Sequence, residues 1–280
     1  MLEPAPVGSE QASSVAPIGI LDSGAGGLSV WRRIRDELPC EDLLYAADTA
    51  HIPYGDKPAG MVRQRVHTLA EALVGEGAKA LVVACNTATA AAVESLRERF
   101  ALPVVGMEPG IKPAILGSRN GVVGILATEG MVRSQRMAQL VQRYGSGKRV
   151  IIQACPGLVE QVERHALHGH ETQRLLSRYL EPILAEGADT LVLGCTHYPF
   201  LMDTIQHLAG PALQIIDTAP AIARRLHALL SQQGRLNPGP QAGQARFFST
   251  ADPASQAELF SHLLGVAVEV EALPLTRKCH

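Results

Sequence analysis

Two cysteines occupy matching places in two similar stretches of the chain. Residues 76–87 read EGAKALVVACNT and residues 186–197 read EGADTLVLGCTH, so Cys85 and Cys195 each follow a short apolar run. A single cysteine at such a place is most often a small packing residue. A symmetric pair has a different use. One thiolate can remove a proton from one face of a carbon while a neutral thiol returns a proton to the other face. That is racemisation or epimerisation with no cofactor. A pyridoxal enzyme would need a Schiff-base lysine, and Lys57, Lys79, Lys112, Lys148 and Lys278 stand in no evident site context.

Other residues gather around the same strand ends. Asn86 and Thr87 begin a helical pattern after Cys85, and a helix N-terminus is expected to lower that thiol's pKa. Asp22-Ser23-Gly24-Ala25-Gly26-Gly27 follows the first apolar run. Its glycines could expose backbone N–H groups to an anion, or simply form a tight turn with Ser23 capping the next helix. The spacing fits neither GxGxxG nor a GK[ST] ending. Asp22 is expected to point into the same crevice. His197, two residues beyond Cys195, could orient or activate a thiol, and Tyr54-Gly55 lies in the loop after the second strand. A metal held by Cys85, Cys195 and His197 lacks ligand spacing and a fourth ligand. Two other functions compete with racemisation. One is a cysteine hydrolase with Cys85 as nucleophile and His197 as base. The other is a two-lobed binding protein whose cysteines merely pack.

Alternating strands and helices must position these residues. Strands are predicted at 18–21, 43–45, 80–84, 122–126, 150–154, 190–194 and 214–216, and continuous apolar runs of this kind suit parallel sheets covered on both faces. Helical stripes follow at Leu28, Trp31, Ile34 and Leu38, and at Val62, Val66, Leu69 and Leu73. Residues 234–244 form a Pro/Gly connector, and a strand–helix–strand stretch over 245–270 closes the chain. The motif GIL recurs at 19–21 and 124–126, and VVGMEPGIKPA (104–114) resembles IIDTAPAIARR (215–225). Three matches in the same order predict an α/β protein of two similar domains, mainly parallel, related by a pseudo-twofold axis with the site in the cleft between them. The first domain comprises 1–109 plus 219–280, and the second 110–218. Ligands bind beyond the carboxyl ends of such strands.

Composition narrows the class. The 280 residues carry 25 basic and 27 acidic side chains, a net charge of −2, and 4% aromatic residues. Neither an electrostatic footprint for nucleic acid nor base-stacking platforms are expected, and no apolar run is long enough to span a bilayer. Five cysteines (Cys40, Cys85, Cys155, Cys195, Cys279) with no CxxC pair suit neither a disulfide framework nor a zinc site. Residues 1–17 lack the basic and apolar regions of a signal peptide and are expected to be a disordered leader.

Several blocks in order carry a resemblance to a known family. GILDSGAGGLSV (19–30), DTAHIPYGDK (48–57), VVACNTATA (82–90), GMEPGIKPA (106–114), ACPGLVEQVE (154–163) and LVLGCTHYPFL (191–201) resemble the glutamate racemases of the aspartate/glutamate racemase superfamily, over 18 to about 274. The resemblance implies a cytoplasmic isomerase, free of metal and pyridoxal cofactor, supplying D-glutamate for peptidoglycan and hence for cell-wall biogenesis and cell shape. It implies Cys85 and Cys195 as proton donor/acceptors, Cys85 acting on D-glutamate and Cys195 on L-glutamate, with Asp22 and His197 assisting them. It also implies Asp22, Ser23, Tyr54, Gly55, Asn86, Thr87, Thr196 and His197 as substrate contacts, and Glu163 as an acidic residue of the cleft. His51-Ile52 and Val159-Glu160-Gln161-Val162-Glu163 depart from the usual family sequences, and touch loop packing more than the thiols. The resemblance leaves open a homodimer, an activating cell-wall precursor, and a substrate other than glutamate, such as aspartate or a hydantoin.

Overall fold

The computed structural model describes residues 13–274. The expectations for residues 1–12 of the leader and for Cys279 lie outside that range. Among the described residues ten strands run in chain order: β1 (Ile18–Asp22), β2 (Leu43–Ala47), β3 (Ala80–Val83), β4 (Val104–Gly106), β5 (Val122–Ala127), β6 (Arg149–Ala154), β7 (Thr190–Leu193), β8 (Gln214–Ile216), β9 (Ala245–Ser249) and β10 (Val270–Ala272). They build two sheets, ordered β10-β9-β2-β1-β3-β4 and β6-β5-β7-β8, and every pairing is parallel.

The repeat in the sequence is a repeat in topology. β2-β1-β3-β4 and β6-β5-β7-β8 are the same arrangement, with β9 and β10 added to the first sheet through β2. The predicted strands are all present to within two residues at either end. β4 is a strand beyond those the apolar runs predict: at three residues it is too short to stand out by period, although its block resembles that of β8.

Parallel strands need crossovers, and amphipathic helices supply them. The helix Ala59–Gly75 buries Val62, Val66, Leu69 and Leu73 completely, as their three- and four-residue spacing predicts. Helix Leu28–Glu37 buries Leu28, Val30 and Ile34. Each such large aliphatic side chain contributes about 1.5–3 kcal/mol on burial, before the entropy of ordering it. The tail joins the first sheet through its aromatic residues: Phe247 lies 5.3 Å from Trp31 and 6.1 Å from Tyr45, and Phe260 meets Tyr45 edge-on at 5.7 Å.

Two polar hubs fix the loops. Lys79, fully buried, donates to Glu41 at 2.5 Å and to the Ser14 carbonyl, while Glu41 accepts the backbone N–H of Asn237 at 2.8 Å. This pair holds the entry to β3 against the 234–244 connector, which is a loop as expected. Asp48, just after β2, accepts two hydrogen bonds from Arg65 at 2.8 and 2.9 Å, one from Tyr54 Oη at 2.7 Å and one from Thr250 at 2.9 Å. Burial alone would raise the Asp48 pKa, but the hydrogen bonds from Arg65 and Tyr54 outweigh it and hold it below the ordinary carboxylate range. Tyr54 is thereby anchored from behind.

Candidate active site

Cys85 lies two residues beyond the end of β3 and Cys195 two residues beyond the end of β7. Because β3 and β7 hold the same place in their sheets, the two thiols are delivered to one cavity, each from its own sheet. That cavity is small, about 20 Å³, with room for about one water molecule. Ser23, Tyr54, Gly55, Asn86, Thr87 and His197 also line it, together with Pro53, Thr128, Val159 and Gly194. Among the described residues no lysine or arginine does.

The neighbours of the two thiols differ. Cys195 Sγ lies 3.7 Å from His197 Nδ1, and His197 Nε2 lies 2.7 Å from Glu163 Oε1. Burial disfavours the imidazolium, but the hydrogen bonds with Cys195 and Glu163 outweigh it, and the His197 pKa is held well above its ordinary value. Cys85 lacks such a partner. It caps the helix Asn86–Arg99, its sulfur accepting the Ala88 N–H at 3.4 Å, and its thiol faces Ser23 Oγ at 3.8 Å. Ser23 in turn faces Asp22 Oδ1 at 3.5 Å.

The helix terminus does not lower the Cys85 pKa as the sequence suggested. Burial pushes this thiol up, Asp22 adds to the rise, and the Ala88 N–H only partly offsets them. Desolvation of a fully enclosed thiolate exceeds what one backbone donor returns. The cavity therefore presents one thiol whose ionisation burial opposes and one that lies beside a cationic imidazole.

Three expected site residues stand behind the cavity wall. Asp22 accepts the Gly27 N–H at 2.6 Å and is 3.4 Å from Tyr45 Oη, so it organises the turn after β1. Burial raises its pKa, while the charge of His197 opposes that rise. Thr196 offers its carbonyl to Ser29 Oγ at 2.9 Å. Glu163 accepts the Ala25 N–H at 2.7 Å as well as holding His197.

These contacts explain the glycine-rich turn. A Cβ at Gly24 would sit 2.1 Å from Glu163 Oε1, and one at Gly26 would sit 2.3 Å from His197 Nδ1. The glycines let the turn of the first sheet close onto a His–Glu pair from the second. Ser23 caps no helix; the cap of Leu28–Glu37 is Gly27.

Thr128 was missed. It follows β5 as Ser23 follows β1, and the GIL repeat at 19–21 and 124–126 assigns the two as equivalents. Its Oγ1 lies 3.0 Å from that of Thr87. Asn86 carries a further signal: its side-chain amide is buried in the wall, and among the described residues neither its nitrogen nor its oxygen has a hydrogen-bond partner. Buried polar atoms are seldom left so. Cys155, behind Cys195, is also buried; desolvation takes its pKa to about 12. Among the described residues no three His, Cys, Asp or Glu side chains converge to hold a metal ion, and no helix is long and apolar enough to cross a membrane.

Comparison with known proteins agrees with this geometry. Residues 18–226 match the family described as Asp/Glu/Hydantoin racemase. The chain is 51% identical over 258 residues to the glutamate racemase of Ectopseudomonas mendocina, covering 92% of this chain and 98% of that one. Among solved structures it is similar to the glutamate racemase isoform RacE1 of Bacillus anthracis, with a TM-score of 0.86, 34% identity, and coverage of 96% of this chain and 100% of that one. It is also similar to the Escherichia coli glutamate racemase in complex with L-glutamate and the activator UDP-MurNAc-ala, with a TM-score of 0.82, 33% identity, and coverage of 94% and 100%. The chain belongs to the Asp/Glu/Hydantoin racemase family, and it is an isomerase of the racemase type.

Proposed function

We propose that the chain interconverts L- and D-glutamate by two-base proton transfer between Cys85 and Cys195. The observation that carries this reading is the pair of thiols at equivalent strand ends walling one cavity, Cys195 beside His197 and Cys85 beside Ser23. In the L-to-D direction, the Cys195 thiolate takes the α-proton while the protonated Cys85 delivers one to the opposite face. The reverse direction exchanges these roles, so the enzyme must reset its two protons between turnovers. His197, held by Glu163, stabilises the thiolate form of Cys195. Asp22 acts on Cys85 through Ser23. The carbanion has no electron sink, so donors must hold the substrate carboxylates as charge develops. The unpartnered Asn86 amide, the hydroxyls of Ser23, Thr87 and Thr128, and the N–H groups at the start of Asn86–Arg99 are the groups suited to that. The phenol of Tyr54, anchored to Asp48, keeps the loop carrying Gly55 against the site.

The substrate assignment rests on the relatives' names and is tested by incubating the enzyme with L-glutamate, L-aspartate and a hydantoin in D₂O. Loss of optical rotation with α-deuterium incorporation is expected for glutamate. Exchange confined to aspartate or the hydantoin would overturn the assignment. In the cell we place the enzyme in the cytoplasm, supplying D-glutamate for peptidoglycan.

The membership of β1–β4, β9 and β10 in one sheet and β5–β8 in the other supports a division into domains at 1–109 plus 219–280 and 110–218. A second cavity of about 480 Å³ lies where these parts join, lined by Arg97, Lys112, Arg225, Tyr144 and Pro109 among others. We assign an activating nucleotide of the kind bound by the Escherichia coli relative to this cavity, because its three cations suit a diphosphate. An R225E variant is expected to lose activation and keep basal racemisation.

A further inference from the structure

The active-site cavity, at about 20 Å³, cannot admit a glutamate as it stands; among the described residues its wall carries no lysine or arginine, and the His197 imidazolium is already paired with Glu163. The substrate has two carboxylates and one ammonium, and the whole chain is itself negative, with a net charge of −2. Something local must favour entry of an anion. Thr87 lines both the inner cavity and an outer one of about 510 Å³. The outer cavity is bounded by Asp56, Lys57, Gly130 and Arg133.

The boundary between the two is a tight contact between segments belonging to different sheets. A Cβ at Gly130 would lie 2.8 Å from the Gly55 carbonyl, and one at Gly55 would lie 2.8 Å from Thr128 Cβ. Thr87 and Thr128 join across the same line at 3.0 Å. Arg133, at the end of the short helix Glu129–Val132, reaches over it and brings Nη2 to 3.5 Å from the Gly55 carbonyl. Lys57 is committed elsewhere, to Asp56 at 3.1 Å and to the Pro53 carbonyl at 3.0 Å. Arg133 has only Glu129, at 4.0 Å, within ion-pair reach among the described residues, and its side chain is 64% exposed.

We propose that Arg133 is the entry residue of the racemase site: its guanidinium draws the dicarboxylate into the outer cavity and exchanges the Gly55 carbonyl for a substrate carboxylate as the Gly55–Thr128 contact opens. The proposal rests on the reading of the inner cavity as the glutamate site. Arg133 takes no part in the proton transfers, so its influence falls on substrate capture and is screened by salt.

The test is steady-state racemisation by the full chain and its R133Q, R133K and R133E variants. Salt is varied from about 10 mM to about 1 M, over which the screening length falls from about 30 to about 3 Å. Steering of this kind raises capture by about tenfold or more, so R133Q is expected to lower kcat/KM several-fold at low salt, with kcat little changed and the salt dependence flattened. R133K should restore the dependence and R133E should reverse its sign. Because the equilibrium constant between enantiomers is one, kcat/KM must fall equally in both directions. The proposal is overturned if R133Q leaves kcat/KM and its salt dependence unchanged. It is equally overturned if kcat falls in proportion and R133K behaves like R133Q, which would mark a structural role. A wild-type chain inactive on glutamate would instead sink the underlying site assignment, and this proposal with it.

Discussion

Glu163→Gln separates charge from geometry at the Cys195 side of the site. A glutamine carbonyl can accept from Ala25 N–H and from His197 Nε2 as Glu163 Oε1 does, both at 2.7 Å. What disappears is the negative charge beside a buried imidazolium. A hydrogen bond to a charged partner is worth about 1.5–3 kcal/mol and a neutral one about 0.5–1.5, so the loss is about 1–1.5 kcal/mol. The loss brings the His197 pKa down toward its ordinary value and weakens the hold on the imidazolium beside Cys195. Steady-state racemisation cannot assign this loss to one thiol, because kcat/KM is equal in both directions for enantiomers. Elimination from 3-chloroglutamate can. There, one base removes the α-proton, chloride leaves the β-carbon, and the enamine formed hydrolyses to a 2-oxo acid and ammonia. Release of the 2-oxo acid from the L-analogue should fall about tenfold in the variant, by the same free-energy argument. Release from the D-analogue, served by Cys85, should change far less. Equal losses from both enantiomers would refute the assignment of the His197–Glu163 pair to Cys195.

Two further outcomes follow from the packing. Gly26→Ala places a methyl 2.3 Å from His197 Nδ1, so the ring must move; racemisation should drop about 100-fold, the usual cost of an ångström of misplacement, and steady-state rates near wild type would contradict that. Arg65→Met leaves Asp48 without its main partner and should cost about 3 kcal/mol at pH 7, seen as a lower urea midpoint. Since the Asp48 pKa is depressed in the folded state from 3.8, its stabilisation is present above that value and is lost as pH falls through the folded pKa. The difference between wild type and variant should therefore be full near neutrality and shrink in acid; a gap independent of pH would contradict the assignment.

Local pattern makes much of this molecule legible in its sequence. The stripe at Val62, Val66, Leu69 and Leu73 and the apolar runs ending near Cys85 and Cys195 are signals of period and burial, and the structure honours them. The repeat extended that reading to topology. It would also have found Thr128, had Ser23 been carried across with the cysteines. What stayed hidden depends on contacts distant in sequence. Glu163 meets Ala25 across 138 positions, and nothing in the turn after β1 announces that its glycines make room for a His–Glu pair. The direction of the Cys85 shift failed for a related reason. Helix-terminus position is a local property, whereas desolvation depends on the whole enclosure, and here enclosure prevails.

The central claim is that each thiol serves one face of the substrate. Elimination from L- and D-3-chloroglutamate by the C85S and C195S variants tests it most directly, because each variant keeps a single sulfur base. Neither variant should racemise glutamate. C85S, retaining Cys195, should release the 2-oxo acid from the L-analogue, and C195S, retaining Cys85, from the D-analogue. If both variants consumed the same enantiomer at similar rates, or if C85S still racemised glutamate, the two-face account would be wrong.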